Sequence, residues 1–226
     1  MRKLTIAIPT YKREKELLRC VNSIEFIEEF KNDIEIVISN NDPTSDFRYN
    51  NNPNQYFINY NKNKKNLGIM GNMLKLIELS TSEFIFFITD DDYFLPGSIK
   101  KIMDVTDGGM EKINAFRVKI ATHLILSNKI FDNEIEVSNN IFDHSSQMNI
   151  FKSSHIFSGC AVRKSAIPDY FNSRYNDFYF TTSLLFGANI GKLSLIPDIC
   201  IIHTWENEIY WDFANHGDNA ISDNWN

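Results

Sequence analysis

The sequence predicts an α/β protein built on a largely parallel sheet, and three observations carry that prediction. Short β-rich runs alternate with amphipathic helical stretches through the first half. Polar clusters follow three of the runs: PTYKRE after the first, SNNDPTSD after the second and TDDDY after the fourth. The fourth run, Phe84 to Ile88 (FIFFI), is wholly apolar and stops at three consecutive aspartates, Asp90, Asp91 and Asp92. Alternating strands and helices read as βαβ units. Ligands of such sheets gather beyond the carboxyl ends of the strands, so the three clusters mark one expected site.

Taken in order, Leu4 to Ile8 is a short strand ended by Pro9, and Arg13 to Phe30 carries Leu17, Cys20, Val21, Ile24 and Ile27 at helical spacing. Ile34 to Ile38 is a second strand and Gln55 to Tyr60 a third, set in an Asn-rich stretch from Asn50 to Asn66. Gly68 to Leu79 reads as a helix with Ile69, Met73, Leu76 and Ile77 inward. Glu83 to Ile88 is the fourth strand, and a further helix starts near Leu95. The second half is less regular. Ile113 to Leu126 and Ile130 to Val137 read as strands around Ser127-Asn128, and Asp143 to Ser158 as a loop. Tyr175 to Phe186 reads as a helix ended by Gly187; Leu193 to Ile196 and Ile199 to Ile202 read as short strands before a polar tail.

Composition excludes several classes. With 43% hydrophobic residues in 226, the chain can bury a sizeable core. A net charge of −6 argues against a general nucleic-acid binder, which needs a basic face. Cys20, Cys160 and Cys200 are odd in number and widely spaced, so neither a disulfide framework nor a zinc site is expected, and reduced thiols of a cytoplasmic protein are the simplest reading. Pro9 interrupts the first apolar run too early for a signal peptide. No apolar segment approaches the ~20 residues of a spanning helix, so the chain is expected to be soluble or at most peripheral to a membrane, at its inner face.

Three adjacent carboxylates at a strand mouth make sense if a cation completes the site. Oxygen ligands suit Mg²⁺, Mn²⁺ or Ca²⁺, and Mg²⁺ commonly takes one or two protein carboxylates plus substrate phosphates. The plainer reading is an exposed acidic turn, or an aspartate capping the helix that follows.

The order IAIPTYKREKELLRCVNSI, IEIVISNNDPTSD and NKKNLGIMGNMLKLIELSTSEFIFFITDDDYFLPGSI resembles the N-terminal half of family 2 glycosyltransferases. The resemblance is continuous over about residues 3 to 103 and looser over 155 to 205. It implies a GT-A fold, with residues 1–110 as the nucleotide-sugar half of one domain, 111–206 as the acceptor-side half and 207–226 as a tail. It also implies roles. Pro9, Thr10, Tyr11 and Arg13 fall in the first-strand loop that holds the nucleotide, and Asn40, Asn41 and Asp42 in the loop that contacts base and ribose. There the chain departs from the usual pattern: Asn40 replaces an acid, and Pro43 stands where glycine is common. Asn66 and Gly68 match a turn before the second helix, with Asn72 facing the same site. Asp90 is placed on the sugar or ribose, and Asp91 and Asp92 on a metal and the diphosphate, with Mn²⁺ or Mg²⁺ as the cofactor.

In the second half SGCAVRKSAI resembles the family's acceptor-side segment. Asp177, preceded by Asn176 where an acid is usual, matches the catalytic base; the bland alternative is a helix cap. His203 matches a histidine that reaches the metal or diphosphate in some members, or is simply structural. The expectation is an inverting transferase that moves a sugar from a nucleotide-diphosphate donor, UDP-sugar above others, to a saccharide or lipid-linked saccharide acceptor in surface polysaccharide assembly. The rivals are a sugar-1-phosphate nucleotidyltransferase, whose glycine-rich first loop PTYKRE lacks, and a non-catalytic nucleotide- or glycan-binding module.

Overall fold

A computed structural model of the chain describes residues 1–49, 55–107, 113–124, 129–132, 158–167 and 192–204. Strand β1 (Leu4–Thr10) lies between β2 (Ile34–Asn40) and β4 (Phe84–Phe87) and runs parallel to both, and β3 (Phe57–Lys62) adds to β2 in parallel. Beyond β4 the pairing changes sense. The short β8 (Cys160–Arg163) runs antiparallel to β4, and β6 (Ile113–Leu124) antiparallel to β8. β9 (Lys192–Thr204) runs parallel to β6 and takes β5 (Tyr93–Phe94) antiparallel on its far side, while β7 (Lys129–Asp132) pairs with β6. The described strands therefore form one continuous row, β3-β2-β1-β4-β8-β6-β9-β5, parallel at one end and mixed at the other.

Period-two alternation makes this row the middle of three layers. Leu4, Ile6 and Ile8 of β1 and Phe84 and Phe86 of β4 join the core that includes Leu17, Cys20 and Val21 of helix α1 (Glu14–Asn22) and Ile99, Ile102 and Met103 of α3 (Ser98–Asp107). Ala7, Val37, Ile85 and Phe87 form the opposite core with Met70, Met73, Leu76 and Ile77 of α2 (Gly68–Leu79). Phe86 is fully buried with Phe94 and Phe116 at ring-centroid distances of 5.6 and 6.2 Å. Burial of a side chain this size contributes about 1.5–3 kcal/mol. The FIFFI run is thus a rigid central strand, which fixes where the aspartates after it emerge.

Among the differences from the sequence reading, three shape the helices and the far end of the sheet. The helix expected over Arg13 to Phe30 ends at Asn22, where the Ser23 amide donates to the Arg19 and Cys20 carbonyls and its hydroxyl to Cys20 O at 2.6 Å. Ile24 and Phe30 remain buried, but as part of an irregular stretch closed by a 3₁₀ turn at Glu28–Phe30, so apolar spacing persists after the helix has stopped. Helix α3 begins at Ser98 rather than near Leu95. Gly97, at φ +78°, makes the turn into it, a conformation that costs a residue with a Cβ. The two strands expected around Pro197 are one, with the register against β6 skipping from Ile196 to Ile199, so that Pro197 and Asp198 bulge out. The three cysteines are free and buried.

Candidate functional site

The site is assembled at the carboxyl ends of β1, β2 and β4. Thr10 closes β1 opposite Asn40 of β2, and the Asn41 amide donates to the Thr10 carbonyl at 2.8 Å. Pro9 lies past the last β1–β4 pair, Ala7 with Phe87, where the ladder on that side has ended. The Thr10 hydroxyl reaches the loop after β4 and donates to Asp90 Oδ2 at 2.7 Å. Lys12 then turns the chain at φ 57°, a left-handed conformation uncommon for a residue with a side chain and frequent at functional loops. Its ammonium lies 5.2 Å from the Tyr11 ring centre.

Arg13, the residue before α1, reaches back over the acids. Its Nη1 donates to Asp91 Oδ2 at 2.6 Å and to Asp90 Oδ1 at 3.3 Å. Further along the helix, Arg19 Nη2 donates to the Asp91 carbonyl at 2.6 Å, and its guanidinium carbon lies 5.7 Å from the Tyr93 ring centre. Two arginines of one segment thus hold the carboxylates and the backbone of the same loop. Burial, followed by the charge of Asp91, pushes the Asp90 carboxyl up to about 7, against the pull of Arg13 and Thr10.

The three acids divide. Asp90 and Asp91 share Arg13, with side chains 6% and 16% exposed. Asp92 is fully buried; its Oδ2 accepts from the Thr89 hydroxyl at 2.9 Å and from the Ser158 hydroxyl, while the Thr89 amide donates to Ser158 Oγ at 2.9 Å. Ser158 comes from the turn before β8, so this knot ties the acidic loop to the second half of the sheet.

The β2 end is organised differently. Asn40 Oδ1 accepts the Asp42 amide at 2.9 Å, and its Nδ2 donates to the Tyr60 hydroxyl at 2.9 Å. Asp42 Oδ1 accepts from Thr44 Oγ1 at 2.7 Å and from the Thr44 amide at 2.9 Å; the Thr44 hydroxyl above all holds this carboxyl below its usual value. Asn41 and Asn72 are buried in an amide network, and the exposed Asn66 closes it at the surface. Asn41 Nδ2 donates to Asn66 Oδ1 at 2.6 Å and Gly68 O at 3.1 Å, and Asn41 Oδ1 accepts the Leu67 amide at 2.9 Å. Asn72 Oδ1 accepts from Ser39 Oγ at 2.7 Å and Asn63 Nδ2 at 2.9 Å, and Asn72 Nδ2 donates to Ser39 O at 3.0 Å. The network bolts the β2 end to the start of α2, where Gly68 sits at φ 69°.

Of the expected residues, Thr10, Arg13, Asp90 and Asp91 come together by direct contact. Asn40, Asn41 and Asp42 adjoin them through the Thr10–Asn41 bond. Asn66, Gly68 and Asn72 form the support. His203 lies on β9 opposite Thr122, and Asp177 lies outside the described residues. Arg19 and Ser158 carry contacts that the sequence reading assigned to neither. Arg19 is six positions from Arg13, a separation that does not put two residues on one helix face, so spacing did not mark it; nothing local signals Ser158, 66 residues from its partner Asp92.

Asp90 and Asp91 offer carboxylate oxygens, the donor chemistry that hard divalent cations take. One cationic nitrogen, Arg13 Nη1, already contacts an oxygen of both Asp90 and Asp91. Among the described residues no group of three or more acidic, histidine or cysteine side chains converges to hold an ion alone, so a metal here would need oxygens from a bound diphosphate, as Mg²⁺ sites commonly do. Among the described residues no helix is long and apolar enough to cross a membrane.

The fold is that of the GT-A glycosyltransferases. Staphylococcus aureus TarS, residues 1–349, solved in complex with UDP-GlcNAc, superposes with a TM-score of 0.68 at 17% identity, over 91% of this chain and 59% of that one. The same fragment without that ligand gives 0.66 at 17% identity, over 89% and 60%. The description "Glycosyl transferase family 2" matches residues 5–171, and the chain belongs to that family. Among curated relatives, a Campylobacter jejuni GalNAc(5)-diNAcBac-PP-undecaprenol beta-1,3-glucosyltransferase is 28% identical over 116 residues, 48% of this chain and 36% of the relative. The Salmonella typhimurium abequosyltransferase RfbV is 32% identical over 109 residues, 46% of this chain and 32% of the relative. The matches span about a third of either relative's length.

Proposed function

We propose that the chain transfers a sugar from a UDP-sugar to a saccharide carried on a lipid diphosphate, with inversion at the anomeric carbon, in the assembly of a bacterial surface glycan. The observation that carries this reading is the convergence of Thr10, Arg13, Asp90 and Asp91 at the carboxyl edge of the sheet in a chain of glycosyltransferase family 2. The UDP-GlcNAc complex of TarS supports the donor class, and the undecaprenol-linked substrate in the name of the C. jejuni relative supports the acceptor and work at a membrane surface.

In this reading the β2 loop, Asn40 to Asp42, receives base and ribose, with Asp90 on the ribose or sugar side. Asp91 leads the metal ligands, and His203 and Asp92 are the further candidates. Bound Mn²⁺ or Mg²⁺ would neutralise the diphosphate and stabilise the charge that grows as it leaves. Asp177 is the proposed base, taking the acceptor hydroxyl's proton as its oxygen attacks the anomeric carbon from the face opposite the leaving group. The chain's own described residues supply rigidity: β4 and the Asp92–Ser158 knot fix the acids, and the amide network fixes the β2 loop.

The test is release of UDP from UDP-hexoses in the presence of Mn²⁺ and undecaprenyl-diphosphate-linked saccharides. Acceptor-dependent UDP release, lost in Asp91→Asn, is expected, and Asp177→Asn should keep donor binding while losing transfer. Pyrophosphate release from UTP and a sugar phosphate would identify a nucleotidyltransferase instead. UDP binding with no turnover of any donor would identify a binding module.

A further inference from the structure

Arg13 occupies the position that the metal reading gives to an ion. It bonds Asp90 Oδ1 and Asp91 Oδ2 through a single nitrogen, so one positive centre bridges two carboxylates of consecutive residues. The rest of the arrangement does not depend on it. Asp90 keeps the Thr10 hydroxyl on its other oxygen, and the Asp91 carbonyl keeps Arg19. Arg13 itself lies outside the regular helix, immediately after the strained Lys12, and its side chain is 23% exposed. It can therefore leave the acids without unpacking a strand or a helix.

Two cations cannot contact the same carboxylate oxygens without strong mutual repulsion. We infer that Arg13 is an internal counter-ion that stands in for the divalent metal in the donor-free protein and is displaced from Asp90 and Asp91 when metal and donor bind together. This inference rests on the proposed metal site. A planar guanidinium released beside a diphosphate finds a bidentate partner there. The diphosphate thus gives Arg13 somewhere to go, and it supplies the oxygens that two acids alone lack. Metal binding then depends on donor binding, and by linkage donor binding depends equally on metal. The device keeps the acids neutralised between turnovers and keeps the ion from being held tightly when no sugar nucleotide is present.

The experiment titrates Mn²⁺ into the full chain, with and without saturating UDP, and follows free Mn²⁺ by its electron paramagnetic resonance signal. Wild type, Arg13→Gln and Arg13→Lys are compared at fixed pH and ionic strength, with circular dichroism confirming the fold. Without UDP, Arg13→Gln is expected to bind Mn²⁺ about tenfold more tightly than wild type, and the factor by which UDP tightens Mn²⁺ binding should shrink by a similar amount, within the usual range of coupling between sites. Arg13→Lys keeps the charge and should stay near wild type. Equal or weaker Mn²⁺ binding by Arg13→Gln overturns the inference, because Arg13 would then be orienting the acids for the ion. If wild type binds Mn²⁺ only with UDP and Arg13→Gln behaves identically, the inference fails and the metal reading stands. If no variant binds Mn²⁺ with or without UDP, both fail. A second measurement needs no variant to fold well: in wild type the Arg13 Nε–H resonance should move when Mg²⁺ and UDP are added together, and an unmoved resonance overturns the displacement.

Discussion

Replacing Asn72 by leucine tests whether the amide network is what fixes the β2 end of the site. Leucine is nearly isosteric with asparagine, so little cavity is created and the loss is polar. Three hydrogen bonds disappear: those accepted from Ser39 Oγ and Asn63 Nδ2 and that donated to Ser39 O. Asn63 Nδ2 retains Asn41 Oδ1 at 3.2 Å and Ser39 Oγ at 3.3 Å, whereas the Ser39 hydroxyl proton loses its acceptor and the Ser39 carbonyl loses the Asn72 donor, in a site where Ser39, Asn63 and Asn72 are all buried. At about 1 kcal/mol for each bond, and more where a buried group is orphaned, the expected loss is about 3–4 kcal/mol. For a protein of this size that lowers Tm by roughly 6–16 °C. Urea unfolding followed by circular dichroism measures it, and the Asn72→Leu/Ser39→Ala pair should recover about 1 kcal/mol because the stranded hydroxyl is gone. A loss below about 1 kcal/mol, or no recovery in the double variant, would mean that the network does not hold the β2 end.

Glu35, 1% exposed, accepts from Thr5 Oγ1 and the Thr81 amide at 2.6 Å and from Thr81 Oγ1 at 2.7 Å. Burial raises its carboxyl, but these bonds and that from Ser82 outweigh it and leave the group below the ordinary glutamate value. Its stabilisation is therefore complete above about pH 4.3 and is lost as pH falls through the depressed folded value. Glu35→Gln should cost about 2–3 kcal/mol at pH 7 and progressively less in acid, and a difference independent of pH between 7 and about 3 would refute this. Asp91→Asn should abolish Mn²⁺-dependent UDP binding with stability changed by less than about 1 kcal/mol, whereas Asp92→Asn, in its buried knot with Thr89 and Ser158, should cost about 2–3 kcal/mol of stability. Calorimetry and urea unfolding of the two variants separate these, and equal effects would erase the division between them. Gly71→Ala should destabilise by about 1 kcal/mol despite alanine's helix propensity, because the added Cβ would lie 2.7 Å from Leu67 Cβ; a stabilised variant would show that the start of α2 yields freely.

What the sequence disclosed followed from range. β1, β2 and β4 are legible because each is a short apolar run with a polar break at its carboxyl end, and those breaks carry Thr10, Asn40 and Asp90. The length of α1 was not, because Ile24 and Phe30 keep an apolar rhythm while Ser23, whose hydroxyl also accepts the Phe94 amide, ends the helix through tertiary contact. β5 has two residues and exists only by pairing with β9. At the site, the acids and the Thr10 loop could be read from order and spacing. The asymmetry among the acids could not, since Asp92 is sequestered by Ser158 and Asp91 faces Arg13 across 78 positions. The Asn-rich stretch looked like compositional bias, yet Asn63 within it is a buried hub.

The edge built by Thr10, Arg13, Asp90 and Asp91 is proposed to bind a nucleoside-diphosphate sugar together with a divalent cation. Isothermal calorimetry of UDP into the full chain, with Mn²⁺ and with EDTA, tests it most directly. One UDP per chain is expected in Mn²⁺, with binding weakened at least tenfold in EDTA and no Mn²⁺ dependence in Asp91→Asn. UDP binding that is the same in EDTA and in Asp91→Asn, or no binding of any nucleoside diphosphate under either condition, would contradict it.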